Sequence, residues 1–261
     1  MSVVEGIDAL EPALGRLFVV VGVFDGLHLG HEYLLRELAT AATAHWARPA
    51  VITFDHHPDE ILTGHAPPLL CDPAERLERF EAAGVAVTVV QTFDVALRET
   101  PFDAFVRHIA NRVELAGFLM TPDSAFGFDR GGTSETVAAL GLELGYDVVV
   151  VPPFTLDGAP VSSSKIRAAI AAGDLAGAAR LLGRQPSMAG VARRTLEGGT
   201  VLDVPLPFAL PPAGTYRTEI RSPSARWVGE VVVSPGAVTV RPAVAVGNGT
   251  RVVASFLTAD R

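Results

Sequence analysis

Across residues 17–151, short unbroken apolar runs alternate with stretches whose apolar residues recur at helical spacing, and few folds accept that alternation. Residues 17–23 are continuously apolar, β-branched from Val19 to Val21, and read as a strand buried on both faces. The run breaks at Phe24-Asp25-Gly26, and from about His31 the residues Leu34, Leu35, Leu38 and Ala42 fall on one helical face. Further strands are expected at 50–54, 85–90, 117–120 and 148–151. Asp72-Pro73-Ala74-Glu75 is a helix start, with Asp as N-cap, Pro at the first position and Glu at the third. That helix runs to about Ala83, where Gly84 stops it, and Thr100-Pro101 opens another that ends near Asn111. Strands alternating with helices imply an α/β fold, a parallel sheet covered on both faces. Ligands of such sheets sit beyond the carboxyl ends of the strands, so a site is expected in the segments after Val23, Phe54, Met120 and Val151.

The pattern changes near Gln185. Two short helical segments, 163–172 and 174–182, end at Gly183, and no long helical period follows. From Ser187 onward the apolar runs are short and β-rich, at 216–220, 227–233, 237–240 and Arg251–Phe256, with Pro and Gly between them. The chain therefore divides into an α/β domain over residues 1–185 and a small all-β, barrel-like domain over 186–261.

Composition narrows the function classes. Of 261 residues, 49% are hydrophobic and 19% charged, which suits a globular chain with a substantial core. A net charge of −8 argues against extended contact with nucleic-acid backbones, so any phosphate site must be built locally from backbone amides and a few cations. No apolar run is long enough to span a bilayer, and the first residues do not read as a signal peptide. The single cysteine, Cys71, is expected to be an inert thiol in a reducing cytoplasm. His56, His57 and His65 lack the partners of a metal site, and no protein metal site is expected.

Two segments carry chemistry. Gly22-Val23-Phe24-Asp25-Gly26-Leu27-His28-Leu29-Gly30-His31 lies on a strand-to-helix turn. Its glycines let the backbone approach a ligand closely, and the helix that follows offers unpaired N–H groups to an anion. His28 and His31 would aim imidazole N–H groups at phosphate oxygens. Val161-Ser162-Ser163-Ser164-Lys165-Ile166-Arg167 places hydroxyls and cations at another helix start and makes a compact anion cradle. Ordinary turn chemistry would also explain the first segment, and helix capping the second.

Taken together the two segments resemble the signature elements of the nucleotidyltransferase superfamily. The string from Gly22 to His31 resembles, more closely, the adenylyltransferase module of the bacterial bifunctional riboflavin kinase/FAD synthetases. Thr53-Phe54-Asp55-His56-His57-Pro58 is similar to that family's Thr-Phe-acidic-Pro-His-Pro element. Asp123, Phe126-Gly127 and Arg130-Gly131 resemble its Gly-x-Asp-Phe-x-Phe-Gly stretch, and residues 173–184 resemble the junction between its two modules. The resemblance covers roughly residues 15–190. It implies a Rossmann-like nucleotidyltransferase domain that joins AMP from ATP to FMN, giving FAD and pyrophosphate, with Mg²⁺ carried mainly by phosphates and water.

By the same resemblance His28, His31, Ser163, Ser164 and Arg167 are the catalytic set, and Gly22, Phe24, Asp25, Gly26, Gly30, Asp123 and Lys165 bind the nucleotide. Phe54, His57, Pro58 and Phe126 are expected on the acceptor side. The partners implied are small-molecule substrates, not nucleic acid or membrane. The chain also departs from the family: Thr121 stands for a glycine, Ser124 for a phenylalanine and His56 for a proline. The kinase module's Gly-Phe-Pro-Thr-Ala-Asn element is matched only by Gly199-Thr200-Val201-Leu202-Asp203-Val204-Pro205-Leu206-Pro207. The sequence also ends before the helix expected to carry the kinase's catalytic glutamate region. A shortened barrel without riboflavin kinase activity follows from the resemblance. Another phosphorylated acceptor, or a catalytically silent nucleotide- or flavin-binding protein, remains open at this level.

Overall fold

The structure, a computed structural model, describes residues 1–194, 200–241 and 247–257. Six parallel strands form one sheet: β1 (Ser2–Glu5), β2 (Leu17–Val21), β3 (Arg48–Phe54), β4 (Val87–Gln91), β5 (Leu115–Met120) and β6 (Asp147–Val150). Their order is β1-β4-β3-β2-β5-β6. From β2 the chain steps outward through α1 (Leu29–Ala44) to β3, and through α2 (Pro58–Thr63) and α3 (Pro73–Ala82) to β4. It returns through α4 (Val95–Glu99) and α5 (Phe102–Ala110) to β5 on the other side of β2, and α6 (Ser134–Leu144) leads to β6. The direction of winding thus reverses between β2 and β5, as in Rossmann-like folds.

Neighbours on both sides explain the unbroken apolar sequence of β2, in which Leu17, Phe18, Val19 and Val20 are all buried. Val19, Ile52, Val89 and Phe118 from the central strands pack with Phe105, Val106 and Ile109 of α5 in one core. Fully burying an aliphatic or aromatic side chain of this size contributes about 1.5–3 kcal/mol. The helix start at Asp72 forms as its residue types require, the carboxylate accepting a hydrogen bond from the Glu75 N–H at 2.7 Å. The short edge strand β1 was not expected from the sequence; its burial alternates residue by residue.

The C-terminal strands close into a six-stranded antiparallel barrel, as expected of a small β domain, in the order β10-β13-β12-β11-β14-β9. They are β9 (Ser187–Arg194), β10 (Thr200–Asp203), β11 (Gly214–Arg221), β12 (Arg226–Ser234), β13 (Ala237–Arg241) and β14 (Arg251–Phe256), preceded by the small hairpin of β7 (Thr155–Leu156) and β8 (Ala159–Pro160). Met188, Ile220, Val231, Val240, Val252 and Phe256 fill its interior. Gly199, the first residue of the segment compared with the kinase element, lies outside the described residues.

Two compact units divide the chain. The first comprises Met1–Phe24, Gly30–Pro67 and Arg76–Pro160; the second comprises Asp25–Leu29, Pro68–Glu75 and Val161–Arg261. The second unit holds the barrel together with α7 (Ser163–Ala171) and α8 (Leu175–Leu182), which bury Ile166, Ile170, Ala178 and Leu182 against Leu70. Among the described residues no helix is long and apolar enough to cross a membrane.

Candidate functional site

The turn after β2 is backbone-strained. Phe24, Gly26 and Leu27 all have positive φ, at 53°, 81° and 38°, and two of these are bulky residues that ordinarily avoid that region. Such strain persists only where surrounding contacts over-determine the conformation, and it clusters at functional sites. Gly26 has no substitute: a Cβ there would come within 2.8 Å of the Leu70 Cβ. In the first unit the Phe24 ring lies 5.3 Å from Phe80 and 5.2 Å from the His31 ring, centroid to centroid. The Val23 carbonyl accepts from the Thr53 hydroxyl and from the buried Arg76 guanidinium, each at 3.1 Å, and Arg76 also donates to the Phe54 carbonyl at 2.7 Å. Arg76 thereby ties together the chain just beyond β2 and the end of β3.

In the second unit the segment Asp25–Leu29 is fastened to the start of α7. The Ser163 hydroxyl donates to the Asp25 carbonyl at 3.0 Å, and the Arg167 guanidinium pairs closely with the Asp25 carboxylate. Arg167 Nε also donates to the Pro68 carbonyl at 2.7 Å. The three serines divide their work. Ser162 is the N-cap of α7, Ser163 reaches the turn, and Ser164 is exposed beside the exposed Lys165. Arg184, just past α8, donates to the carbonyls of Gly26 at 2.6 Å and Leu27 at 3.2 Å and lies 3.4 Å from the Glu75 carboxylate.

His28 is buried beside this arginine. Burial, and then the positive charge of Arg184, push its pKa down from 6.5 to about 4. A hydrogen bond to its own backbone works in the opposite direction without outweighing them, so the imidazole is neutral at physiological pH. Cys71 is buried as well, and burial, reinforced by the Glu75 carboxylate, pushes its thiol up to about 12, so it stays protonated and unreactive.

A cavity of about 190 Å³ opens in the first unit where the winding of the sheet reverses. Val21 at the end of β2 and Met120 at the end of β5 border it, with Asp123, Ser124, Phe126 and Arg130 from the loop that follows. The two residues that depart from the family pattern here hold each other. The Ser124 hydroxyl accepts from the Thr121 N–H at 2.9 Å and lies 2.8 Å from the Thr121 hydroxyl. Asp123 is exposed, and its carbonyl accepts from Arg130 at 3.1 Å. Phe54, His57 and Pro58 do not border this cavity. Phe54 is buried edge-on to Phe93 at 5.3 Å, His57 caps α2 through the Asp59 N–H, and Pro58 is the first residue of that helix.

Of the residues singled out in the sequence, Asp25, Gly26, His28, Ser163, Ser164, Lys165 and Arg167 belong to the second unit. Gly22, Phe24, Gly30, His31, Phe54, His57, Pro58, Asp123 and Phe126 belong to the first. The sequence marked residues 72–75 only as a helix start, and assigned no role to Arg76 or to residues 68–71 before that start. The available signal for Arg76 was its spacing, four residues before Phe80 and so on the same helical face; residues 68–71, next to Pro67-Pro68, offer no periodicity.

A family model for FAD synthetase matches residues 11–165, more than half of the chain. A bifunctional riboflavin kinase/FMN adenylyltransferase from Haemophilus influenzae is 31% identical over 186 residues, covering 70% of this chain and 60% of that protein. A protein of the same description from Escherichia coli is 30% identical over 233 residues, covering 84% of this chain and 73% of its own. The chain thus spans less than two thirds of the Haemophilus relative. A crystal structure described as a macrolide-efflux protein from Streptococcus pneumoniae has the same fold, with a TM-score of 0.82 and 22% identity over 100% of this chain and 90% of that one. On the match over residues 11–165 and on these relatives, the chain belongs to the FAD synthetase family.

Proposed function

We propose that the chain transfers AMP from ATP to the phosphate of FMN, forming FAD, and that it does not phosphorylate riboflavin. An oxygen of the FMN phosphate attacks the α-phosphorus of ATP; the bond from that phosphorus to the bridging oxygen breaks, and pyrophosphate leaves with the electron pair. Catalysis of this kind consists of positioning and charge stabilisation, with no covalent intermediate on the protein. The observation that carries the reading is the joining of the histidine-bearing segment Asp25–Leu29 to the Ser163 hydroxyl and the Arg167 guanidinium at the start of α7.

In the second unit His28 sets its neutral imidazole beside the phosphates, Ser164 and Arg167 steady the departing pyrophosphate with help from Lys165, and Ser163 holds the turn in place through the Asp25 carbonyl. In the first unit His31, in the first turn of α1, is a second imidazole donor. The backbone of Gly22, Phe24 and Gly30 lets the nucleotide approach. The cavity bordered by Asp123 and Phe126 serves the acceptor, and Phe54, His57 and Pro58 shape the neighbouring strand end. Mg²⁺ enters with ATP as part of the substrate. Among the described residues no group of three or more His, Cys, Asp and Glu side chains is placed to hold a metal of its own. The absence of kinase activity rests on β10 and the residues after it, where Asp203-Val204-Pro205-Leu206-Pro207 offers no Thr-Ala-Asn.

The Thr121–Ser124 hydroxyl pair at the cavity favours one second reading, the same transfer onto a different phosphorylated acceptor. A panel of phosphorylated acceptors with ATP or CTP, read by pyrophosphate release, separates the two. Release only with FMN and ATP is the expected result. Release with another acceptor and none with FMN supports the second reading, and none with any acceptor removes both.

A further inference from the structure

We propose that Asp25 is a positioning residue for the transfer reaction: it fixes the Arg167 guanidinium, and it is itself fixed by the strap Pro68–Glu75, which the barrel holds. The inference rests on the reading of Arg167 as the group that steadies pyrophosphate. A carboxylate among groups meant for phosphate is electrostatically unfavourable, so its presence calls for another role. Asp25 is 5% exposed, and both its oxygens are engaged by protein. Oδ1 accepts from the Leu70 N–H at 3.0 Å, and Oδ2 pairs with Arg167 Nη2. With Nε on the Pro68 carbonyl, two of the five guanidinium N–H donors are used at two separate points, and the plane of the group is set. The remaining donors stay available for phosphate oxygens. Groups held in their working geometry before the substrate arrives need no reorganisation when charge develops.

The strap supplies both anchors, and the barrel holds the strap. Leu69 N donates to the Pro207 carbonyl at 2.7 Å, and the Ala209 N–H donates to the Leu69 carbonyl at 2.9 Å, a parallel bridge between Leu69 and Phe208. Three residues along, Asp72 pairs closely with Arg251 of β14. A continuous set of hydrogen bonds thus runs from a barrel strand through the strap to Asp25 and Arg167, all within the second unit. The barrel on this account is part of the support of the transfer site, whatever chemistry of its own it has or lacks.

The test compares kcat and the KM for ATP in Asp25→Asn, Arg167→Lys, the double variant and Arg251→Gln, using the full chain with FMN and Mg²⁺. Asp25→Asn keeps an oxygen for the Leu70 N–H and removes the charge that holds Arg167. Its expected effect is a fall in kcat of about 10-fold or more, with the KM for ATP altered less than about 3-fold, because the loss falls on the transition state. In the double variant the losses should be well short of multiplicative, since both changes break one interaction. Arg251→Gln should lower kcat by about 3-fold or more in the same pattern. A readout independent of turnover is the Arg167 Nε–Hε NMR resonance, slow to exchange in the wild type and fast in Asp25→Asn. An unchanged kcat in Asp25→Asn, fully multiplicative losses, or an Nε–H equally protected in both proteins overturns the inference. If Asp25→Asn does not fold, Arg251→Gln decides: a protected Nε–H with unchanged kcat overturns the inference, while an exposed one with lowered kcat supports it. A wild type that makes no FAD counts against the proposed reaction alone, and the NMR comparison still decides the role of Asp25.

Discussion

Acidification should destabilise this chain through His28, by an amount that follows from its surroundings. The imidazole is 5% exposed, and burial with the nearby Arg184 lowers its pKa from 6.5 to about 4. The folded state therefore refuses a proton that the unfolded chain accepts. Stability from this group is fully present above about pH 6.5 and is lost as the pH falls towards 4. The gap between the two values corresponds to about 3 kcal/mol once both states are protonated, and to about 2 kcal/mol at about pH 5. Urea unfolding at about pH 7.5 and about pH 5 measures it, with His28→Gln as the reference that cancels every other titrating group. Tryptophan fluorescence suits the assay: Trp46 is 90% exposed and Trp227 is partly buried in β12 of the same unit as His28, so the signal change comes mainly from there. Between the two pH values the wild type should lose about 2 kcal/mol more than the variant. Equal losses in the two proteins would refute the claim that a buried, neutral imidazole occupies this position.

Gly26→Ala should be folded weakly or not at all, losing about 1–3 kcal/mol from its positive φ and more from the 2.8 Å approach to Leu70, as read by thermal unfolding. Cys71, buried and protonated, should resist iodoacetamide in the native protein and react readily in urea; rapid labelling of the native chain would contradict its placement. His31→Ala should cut turnover about 10²-fold, as expected for removal of one charge-complementing donor, with little change in melting temperature. Arg167→Ala should cut turnover similarly but also cost about 3 kcal/mol of stability, because it leaves the buried Asp25 carboxylate without its cation.

The sheet was legible because burial on two faces leaves a strong trace. The apolar run at β2 and the Asp72-Pro73-Glu75 helix start each encode their structure within a few residues. Edge strand β1 and barrel strand β9 did not, since Ser2–Glu5 buries only alternate residues and Ser187–Arg194 mixes glycine, alanine and arginine. The two segments singled out for chemistry stand out in the sequence as glycine, histidine and serine clusters. What joins them was not. Asp25 and Arg167 are 142 positions apart, and neither residue advertises the other. The start of the strap, residues 68–71, looks like loop because its order comes from the hydrogen bonds of Leu69 to Pro207 and Ala209, which no local pattern predicts. Asp25 shows the cost of reading a motif as a uniform ligand surface: its carboxylate turns into the protein, towards Leu70 and Arg167.

The most direct test of the proposed adenylyl transfer is to follow a label from the α-phosphorus of ATP after incubation with the full chain, Mg²⁺ and FMN. Labelled FAD together with unlabelled pyrophosphate in equal amounts is the expected result, with no labelled FAD when riboflavin replaces FMN. Label that never leaves ATP for a flavin product, in a chain shown to be folded and to bind ATP, would contradict it.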